Sequence, residues 1–242
     1  MSRPAVALFK KDMRIMRVLW APMAFSYGVF LFMFMENIWI YLATAACLTF
    51  VAAATALGID DRYGTDPLFA ALPATRRDLV KGRYLAWAAV TAAGLALFLA
   101  YTVLLHAGFG ERSPRLGTLL SLKGAAAFLI GALLTGLVFL PFHFRLGFWR
   151  GVWWFTGAGF VLSVAALNAA ARLVPAEACV LPPASALPRA FASTARGLRA
   201  LAWLIDRYAE RPSIVAAAAA GIAVLVCLSY RLSVRFYKKR DL

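Results

Sequence analysis

The chain has 242 residues, of which 63% are apolar and only 15% are charged, and its 26 Lys and Arg residues outnumber its 11 Asp and Glu residues. A soluble domain carries about a quarter charged residues and about half apolar ones, so this composition excludes an ordinary soluble protein and favours blocks of about 20 apolar residues that cross a bilayer. The basic residues flank these blocks, and this placement favours anionic lipid headgroups over nucleic acid as their partner.

The first predicted element is an amphipathic helix over residues 1–17. Apolar residues such as Val6 and Phe9 recur at helical spacing, whereas Lys10 and Arg14 take the opposite face. This pattern is typical of an interfacial helix that lies on an anionic leaflet. The alternative is an ordinary basic flank that sets the orientation of the first span.

Six apolar blocks then predict an all-α, polytopic membrane protein that forms a single transmembrane domain over residues 1–242. The six predicted transmembrane helices cover about residues 18–35, 38–59, 84–107, 119–142, 152–173 and 213–230. Glu36 and Asn37 are predicted to form a tight turn between the first two spans. A basic tail, 231–242, closes the chain.

The distribution of basic residues predicts the orientation of these spans. The segments on the side of the N-terminus hold 17 Lys and Arg residues, and the loops on the other side hold 9 in a nearly equal length of chain. Because basic residues concentrate in cytoplasmic segments, we expect both termini to lie in the cytoplasm.

The long outer loop, 174–212, is predicted to contain a short helix. Leu198, Leu201 and Ile205 have helical spacing, and Pro212 ends the pattern. This helix would rest against the outer membrane surface or over the mouth of the bundle, and a solvated loop is the alternative.

The polar segment 60–83, between the second and third spans, has the most informative pattern. Thr65 can cap a short helix whose first turn holds Asp66 and Pro67, and Pro73 ends it. The apolar side chains that this helix presents are Leu68, Phe69 and Leu72. Such a helix suits docking into a groove on another protein, and the alternative is that it folds back onto the bilayer interface.

A second helix start follows directly. Thr75 with Asp78 three residues later is a close variant of a capping box. We predict that this second helix continues through Tyr84 into the third span.

Several short motifs resemble the membrane subunit of ABC-2 type exporters. They are Leu72-Pro73, Arg76-Arg77, Lys81 and Arg83-Tyr84 between spans two and three, Phe139-Leu140-Pro141 at the end of span four, and the tail 229–241. The family often has Ser before Leu-Pro, and this chain has Ala71 there. The resemblance implies that the segment holds a coupling helix seated on an ATPase, with the ATPase-coupling residues Asp66, Pro67, Leu68, Phe69, Leu72, Pro73, Arg76 and Arg77.

The resemblance also implies a function: the permease subunit of an ABC-2 exporter in a bacterial plasma (inner) membrane. It implies two copies of a cytoplasmic P-loop ATPase and a second copy of this permease. The chain has no GxxxxGK[ST] loop and no Gly-Lys pair, so ATP and Mg would bind the partner, and we expect no catalytic site or cofactor here. The weakly charged spans favour a hydrophobic or amphipathic substrate, such as a peptide, an antibiotic or a lipid-like molecule.

Two other classes of function remain as alternatives. A non-transporting membrane scaffold or sensor would use the same short helix to dock a cytoplasmic partner. An intramembrane enzyme would need a catalytic constellation within the spans, and the sequence contains none that we recognise. His106 and His143 are predicted near opposite membrane faces, so they are not expected to share a metal.

Three polar residues in the spans are candidates for lining a substrate path: Lys123, Ser163 and Asn168. Lys123 either extends to the outer headgroups or attracts an anionic substrate. Asn168 either holds helices together or faces the path. Ser163, with Gly157 and Gly159, also permits close helix contact of the kind found at a dimer seam.

Overall fold

The computed structural model describes residues 3–64, 75–111, 116–173 and 212–239. The helices in these ranges are α1 (Arg3–Met33), α2 (Ile38–Arg62), α3 (Arg76–Phe109), α4 (Leu116–Leu119), α5 (Leu122–Leu146), α6 (Phe148–Leu173) and α7 (Pro212–Lys239). No strand occurs in the described ranges. The predicted all-α class is therefore confirmed.

Five helices are long and apolar enough to cross a membrane within the part of the chain that the structure describes. They lie in α1, α2, α3, α5 and the second half of α7. The fifth predicted span, 152–173, coincides with α6, which is helical along its whole length. The total of six spans stays a prediction, and the predicted outer-loop helix lies outside the described residues.

The predicted boundary between the interfacial helix and the first span does not appear. α1 runs without a break from Arg3 to Met33 and stays helical through Pro22. Buried residues recur on one face of its first half at spacings of three and four: Ala5, Leu8, Asp12 and Met16. The first seventeen residues therefore extend the first span into the helix bundle.

The turn between α1 and α2 confirms the predicted tight connection at Glu36 and Asn37. The backbone N–H of Asn37 donates to the carbonyl of Phe34 at 3.1 Å. The side-chain oxygen of Asn37 accepts from the N–H of Ile40 at 3.3 Å. Asn37 thus caps the start of α2, as short polar residues do at helix N-termini.

Two other connections shift the predicted boundaries. Leu116–Leu119 forms the single turn α4, and Ser121 caps α5, so this span begins at Leu122 and not near 119. Gly147 alone joins α5 to α6, with a φ of 81° that favours glycine. At the other end of the chain, α7 continues through the predicted basic tail as far as Lys239.

α3 is the central helix of the bundle and forms polar contacts with α1 and α2. The Tyr101 hydroxyl donates to the carbonyl of Ala24 in α1 at 2.7 Å. The hydroxyls of Tyr41 in α2 and Thr102 in α3 lie 2.9 Å apart. Hydroxyl groups in membrane helices are hydrogen-bonded within the protein because lipid offers them no partner.

Aromatic side chains pack α3 against α5. Phe98 stacks on Phe128 with ring centroids 4.9 Å apart, and Trp87 lies 6.0 Å from Phe139. Phe50 of α2 completes this contact, with its ring edge-on to both Trp87 and Phe139. The large rings fill the space between three helices, so α3 is enclosed on several sides.

The chain divides into two compact units. One comprises residues 1–151 and 227–242, and the other comprises 152–226. All contacts described above lie in the first unit. In the second unit, Trp153 and Trp154 at its start are exposed.

Candidate functional site

One end of the first unit holds most of its charged side chains. Here α1 and α3 begin and α2, α5 and α7 end, and we call it the charged end. The sequence predicts this end to be cytoplasmic. Most of the polar contacts at the charged end are made by residues in the first three turns of α3.

α3 begins with the predicted capping box. The N–H of Asp78 donates to the hydroxyl oxygen of Thr75 at 3.2 Å, and the N–H of Thr75 donates to the Asp78 carboxylate at 3.3 Å. This reciprocal pair satisfies backbone donors that a helix start otherwise leaves unpaired. It fixes the start of α3 directly after the segment 65–74.

Arg83, two turns into α3, bridges the other two helices at this end. Its Nη1 lies 2.7 Å from Asp12 Oδ1 of α1, and its Nη2 pairs with Asp60 Oδ2 of α2. Lys11 Nζ lies 2.6 Å from both carboxylate oxygens of Asp60. We call Lys11, Asp12, Asp60 and Arg83 the ionic cluster.

The ionic cluster is balanced in charge and largely buried. The Arg83 side chain is 11% exposed, Asp12 is 1% exposed and Asp60 is 9% exposed. The planar guanidinium presents several donors at once, which suits a bridge between two carboxylates better than an ammonium would. Removing one partner of such a buried pair leaves a charge without compensation, which is strongly destabilising.

The position of the ionic cluster relative to a bilayer follows from helix length. About 20 helical residues cross the hydrocarbon core, and α1 ends at Met33 while α2 begins at Ile38. Counting from that turn places both Asp12 and Asp60 near the opposite edge of the core. The cluster therefore lies where the helices leave the membrane, and not at its centre.

A close approach of α1 and α3 brings Arg83 to Asp12. A Cβ atom on Gly82 would lie 3.1 Å from the Leu8 Cβ and 3.3 Å from the Ala5 carbonyl oxygen. A residue without a side chain thus lets the two backbones meet. The arginine that follows Gly82 is then within reach of the α1 carboxylate.

A cavity beside the ionic cluster is too small for a substrate. It lies among α1, α2 and α3, is lined in part by Met16, Leu57 and Trp87, and has a volume of about 10 Å³. This is close to the space that one water molecule takes. The cavity therefore belongs to the packing of the cluster.

Arg76, the first residue of α3, binds the end of α7. Its Nη1 donates to the carbonyls of Tyr237 at 2.7 Å and of Lys238 at 2.9 Å. Its guanidinium also lies 5.8 Å from the centroid of the Tyr237 ring. The last carbonyls of a helix lack intrahelical donors and carry partial negative charge, so the half-buried Arg76 guanidinium caps α7.

Tyr84 forms a second contact between α3 and α7. Its hydroxyl lies 2.6 Å from Ser229 Oγ and 2.9 Å from Ser233 Oγ. Ser229 Oγ in turn donates to the Leu137 carbonyl of α5 at 2.5 Å. The start of α3 is thus hydrogen-bonded to α1, α2 and α7, and through Ser229 it is linked to α5.

Comparison with known proteins gives one match. Residues 7–175 match the family described as ABC-2 family transporter protein. This match covers more than half of the chain. The chain belongs to the ABC-2 transporter family. No curated protein and no solved structure matches it.

The matched range of this ABC-2 protein includes the ionic cluster, the segment 65–74 and the first five predicted spans. Family membership and the apolar helices place the protein in a membrane and make it a membrane permease component. The resemblance stated from the sequence is therefore confirmed. Within the described residues, no three His, Cys, Asp or Glu side chains are grouped so as to hold a metal ion.

The predicted site residues fall into three groups. Six coupling residues lie outside the described residues: Asp66, Pro67, Leu68, Phe69, Leu72 and Pro73. Arg76 binds α7, whereas its neighbour Arg77 is exposed. Lys123 is exposed in the first turn of α5, and Ser163 and Asn168 lie in α6 at positions where the structure does not describe side chains.

Sequence reasoning missed both carboxylates of the ionic cluster. Asp12 lies four residues after Leu8 and four before Met16, so it shares their buried face in α1. An aspartate on the apolar face of an otherwise basic segment was a usable signal, because buried carboxylates are rare unless they are paired. Asp60 lies at the end of an apolar span, where an aspartate is equally expected as an ordinary polar residue flanking the span.

Proposed function

We propose that this ABC-2 permease is the membrane-spanning subunit of an exporter, driven by a separate cytoplasmic ATPase that seats on the segment 65–74. The observation that supports this most is the start of α3. The capping box of Thr75 and Asp78 joins that segment directly to the central helix of the bundle. A partner that moves the segment therefore acts on the helix with the widest contacts.

The proposed partner complex has two ATPase copies and two copies of this permease. ATP and Mg bind the ATPases, whose approach to each other pushes on the coupling residues Asp66, Pro67, Leu68, Phe69, Leu72 and Pro73. Arg76 and Arg77 follow these residues at the start of α3. The charged end then faces the cytoplasm of a bacterium, and the membrane is the plasma (inner) membrane.

The proposed substrate is hydrophobic or amphipathic, such as a peptide, an antibiotic or a lipid-like molecule. The described spans support this because most of the buried polar side chains between their ends carry hydroxyl groups, such as Tyr41 and Thr102, which bond to each other. Lys123, Ser163 and Asn168 are proposed to line part of the path. A single copy provides half of that path, with the other half from the second copy.

Co-purification tests the ATPase partnership. The tagged permease is extracted from its native membrane in mild detergent, and the chains that accompany it are identified by mass spectrometry. We expect a P-loop ATPase in near-equal amount. We also expect its loss when Phe69 and Leu72 are both replaced by Asp, because a charge does not enter an apolar groove.

A matched control keeps this experiment specific. Tyr63→Asp places the same charge on an exposed aromatic residue directly after α2 and before the segment 65–74, and should retain the ATPase. Failure to recover an ATPase with the unaltered protein, under conditions that preserve a known exporter, would favour a non-transporting scaffold or sensor. Retention of the ATPase by the Phe69→Asp, Leu72→Asp variant would move the docking site elsewhere.

A further inference from the structure

The first three turns of α3 hold an unusual density of contacts with other helices. Arg76 binds the final carbonyls of α7, Arg83 binds α1 and α2, and Tyr84 binds α7 again. All three residues follow the segment 65–74 within ten positions. A displacement of that segment therefore acts first on these contacts.

The contacts of α3 with α7 restrain α7 at two levels along its axis. Arg76 and Tyr84 are eight residues apart, which is about 12 Å along a helix. Their partners on α7, Tyr237 at one height and Ser229 and Ser233 at the other, are separated in the opposite chain direction. Two separated anchors prevent α7 from sliding or swinging independently of the start of α3.

The contacts with α1 and α2 converge on a single side chain. Arg83 holds Asp12 and Asp60 at the same time, although the two carboxylates come from helices 71 and 23 residues away in sequence. A carboxylate that loses this guanidinium is left buried at the edge of the membrane, where it is costly. A displacement of α3 therefore favours joint movement of all three helices over separation of the ion pairs.

We propose that residues 76–84 form a rigid joint that carries a displacement of the coupling segment into α1, α2 and α7 together. Arg76 positions α7, and Arg83 positions α1 and α2. The capping box keeps the start of α3 helical, so the displacement is not absorbed by fraying. This inference rests on the proposed function, because the ATPase supplies the displacement.

The two arginines predict separable effects, which spin labels can measure. In a variant with Cys47, Cys179 and Cys227 replaced by Ala, one label is placed at Leu122, which is exposed at the far end of the bundle. The second label is placed in turn at one of three exposed positions near the charged end: Lys81 in α3, Arg14 in α1 and Arg235 in α7. Distances are measured by double electron–electron resonance in the complex with its ATPase, without nucleotide and after trapping with ATP, Mg²⁺ and vanadate.

When Arg76 and Arg83 are both present, trapping with ATP, Mg²⁺ and vanadate should change the distance from Leu122 to each of the three labelled positions. Arg76→Gln combined with Tyr84→Phe removes both anchors of α7 and should abolish the change at Arg235 while the changes at Lys81 and Arg14 persist. Arg83→Lys keeps the charge but loses the fork that holds two carboxylates, and it should abolish the change at Arg14 only. Lys10→Gln removes an exposed charge of α1 beside the ionic cluster and should leave all three changes intact.

A second variant guards against misfolding of the ionic cluster. Asp12→Asn, Asp60→Asn and Arg83→Gln together remove the three most buried charges and leave only Lys11, whose side chain is 33% exposed, and this variant should also lose the change at Arg14. If this triple variant remains bound to the ATPase and its label at Arg14 still changes distance on trapping as in the unaltered protein, the joint is overturned. An unaltered protein in which trapping moves Lys81 alone would overturn it as well. Absence of the ATPase itself would instead overturn the proposed function, and the joint with it.

Discussion

The two halves of α3 contact their neighbours through different kinds of interaction. Its first three turns bind their neighbours through guanidinium groups, carboxylates and helix-end carbonyls, as at Arg76 and Arg83. Its second half is held by ring stacking and single hydroxyl bonds, as at Phe98 and Thr102. Separating a buried ion pair leaves charges without compensation and is strongly destabilising, whereas a single hydroxyl bond between membrane helices contributes about 0.6 kcal/mol on average.

This contrast matches the different demands on the two halves. Under the proposed function, the half next to the segment 65–74 keeps its contacts with other helices while the ATPase acts on it. The half within the membrane has to repack if a path is to open and close. Four substitutions test whether the contrast is real, and they follow in order of decreasing expected effect.

The largest effect is expected at Arg83. Arg83→Met leaves the buried Asp12 with only its longer contact of 3.6 Å to Lys11, and should lower the free energy of unfolding by about 3–5 kcal/mol. Unfolding in mixed micelles with increasing SDS measures this change. Lys81→Met removes an exposed charge on the same helix and should cost little. Equal effects of the two variants would show that the charged end is not held by the ionic cluster.

A smaller effect is expected where α3 packs on α5. The Trp87 indole lies against Gly136, at the place that a Cβ atom would occupy. Gly136→Ala should therefore cost about 1–3 kcal/mol through overpacking, measured in the same titration. Gly131→Ala serves as the control, since its Cβ would meet only the Ala46 Cβ at 3.7 Å. If both glycines tolerate alanine, the apolar half packs more loosely than the contrast requires.

The capping box should contribute less than either of these contacts. Thr75→Ala removes the hydroxyl that accepts from the Asp78 N–H and should cost about 1 kcal/mol. Thr75→Ser keeps an accepting hydroxyl and should stay near the unaltered protein. Faster proteolysis or hydrogen exchange of the first turn of α3 should accompany the alanine variant. Unchanged exchange in that turn would contradict the cap.

The smallest effect is expected for a single hydroxyl bond between spans. Tyr41→Phe loses the bond to Thr102 and should cost about 0.6 kcal/mol, the average for such bonds in membrane proteins. A double-mutant cycle with Thr102→Ala isolates the pair and should return a coupling of that size. A coupling as large as the effect at Arg83 would erase the distinction between the two halves.

The accuracy of the sequence predictions varied with the range of the interactions involved. The cap at Thr75 and Asp78 is formed by residues three apart, so its pattern is local and its prediction is confirmed. The tight turn at Asn37 is local as well. By contrast, the proposed ATPase-coupling residues 66–73 lie outside the described residues, so their role stays a prediction.

Composition and periodicity by themselves determined the class of this protein. Blocks of about 20 apolar residues have few stable alternatives to membrane helices, and short motifs around Leu72-Pro73 and Arg76-Arg77 indicated the ABC-2 family that the match then showed. Helix formation depends on nearest neighbours along the chain. The positions of the helices are therefore readable from the amino-acid sequence without knowledge of the tertiary structure.

Only the tertiary structure decided which charges meet. Arg83 looked like a motif residue beside a span, and its partners Asp12 and Asp60 come from two other helices. The capping of α7 by Arg76 has the same origin. A helical pattern states which residues share a face, but which faces come together depends on how all the helices pack at once.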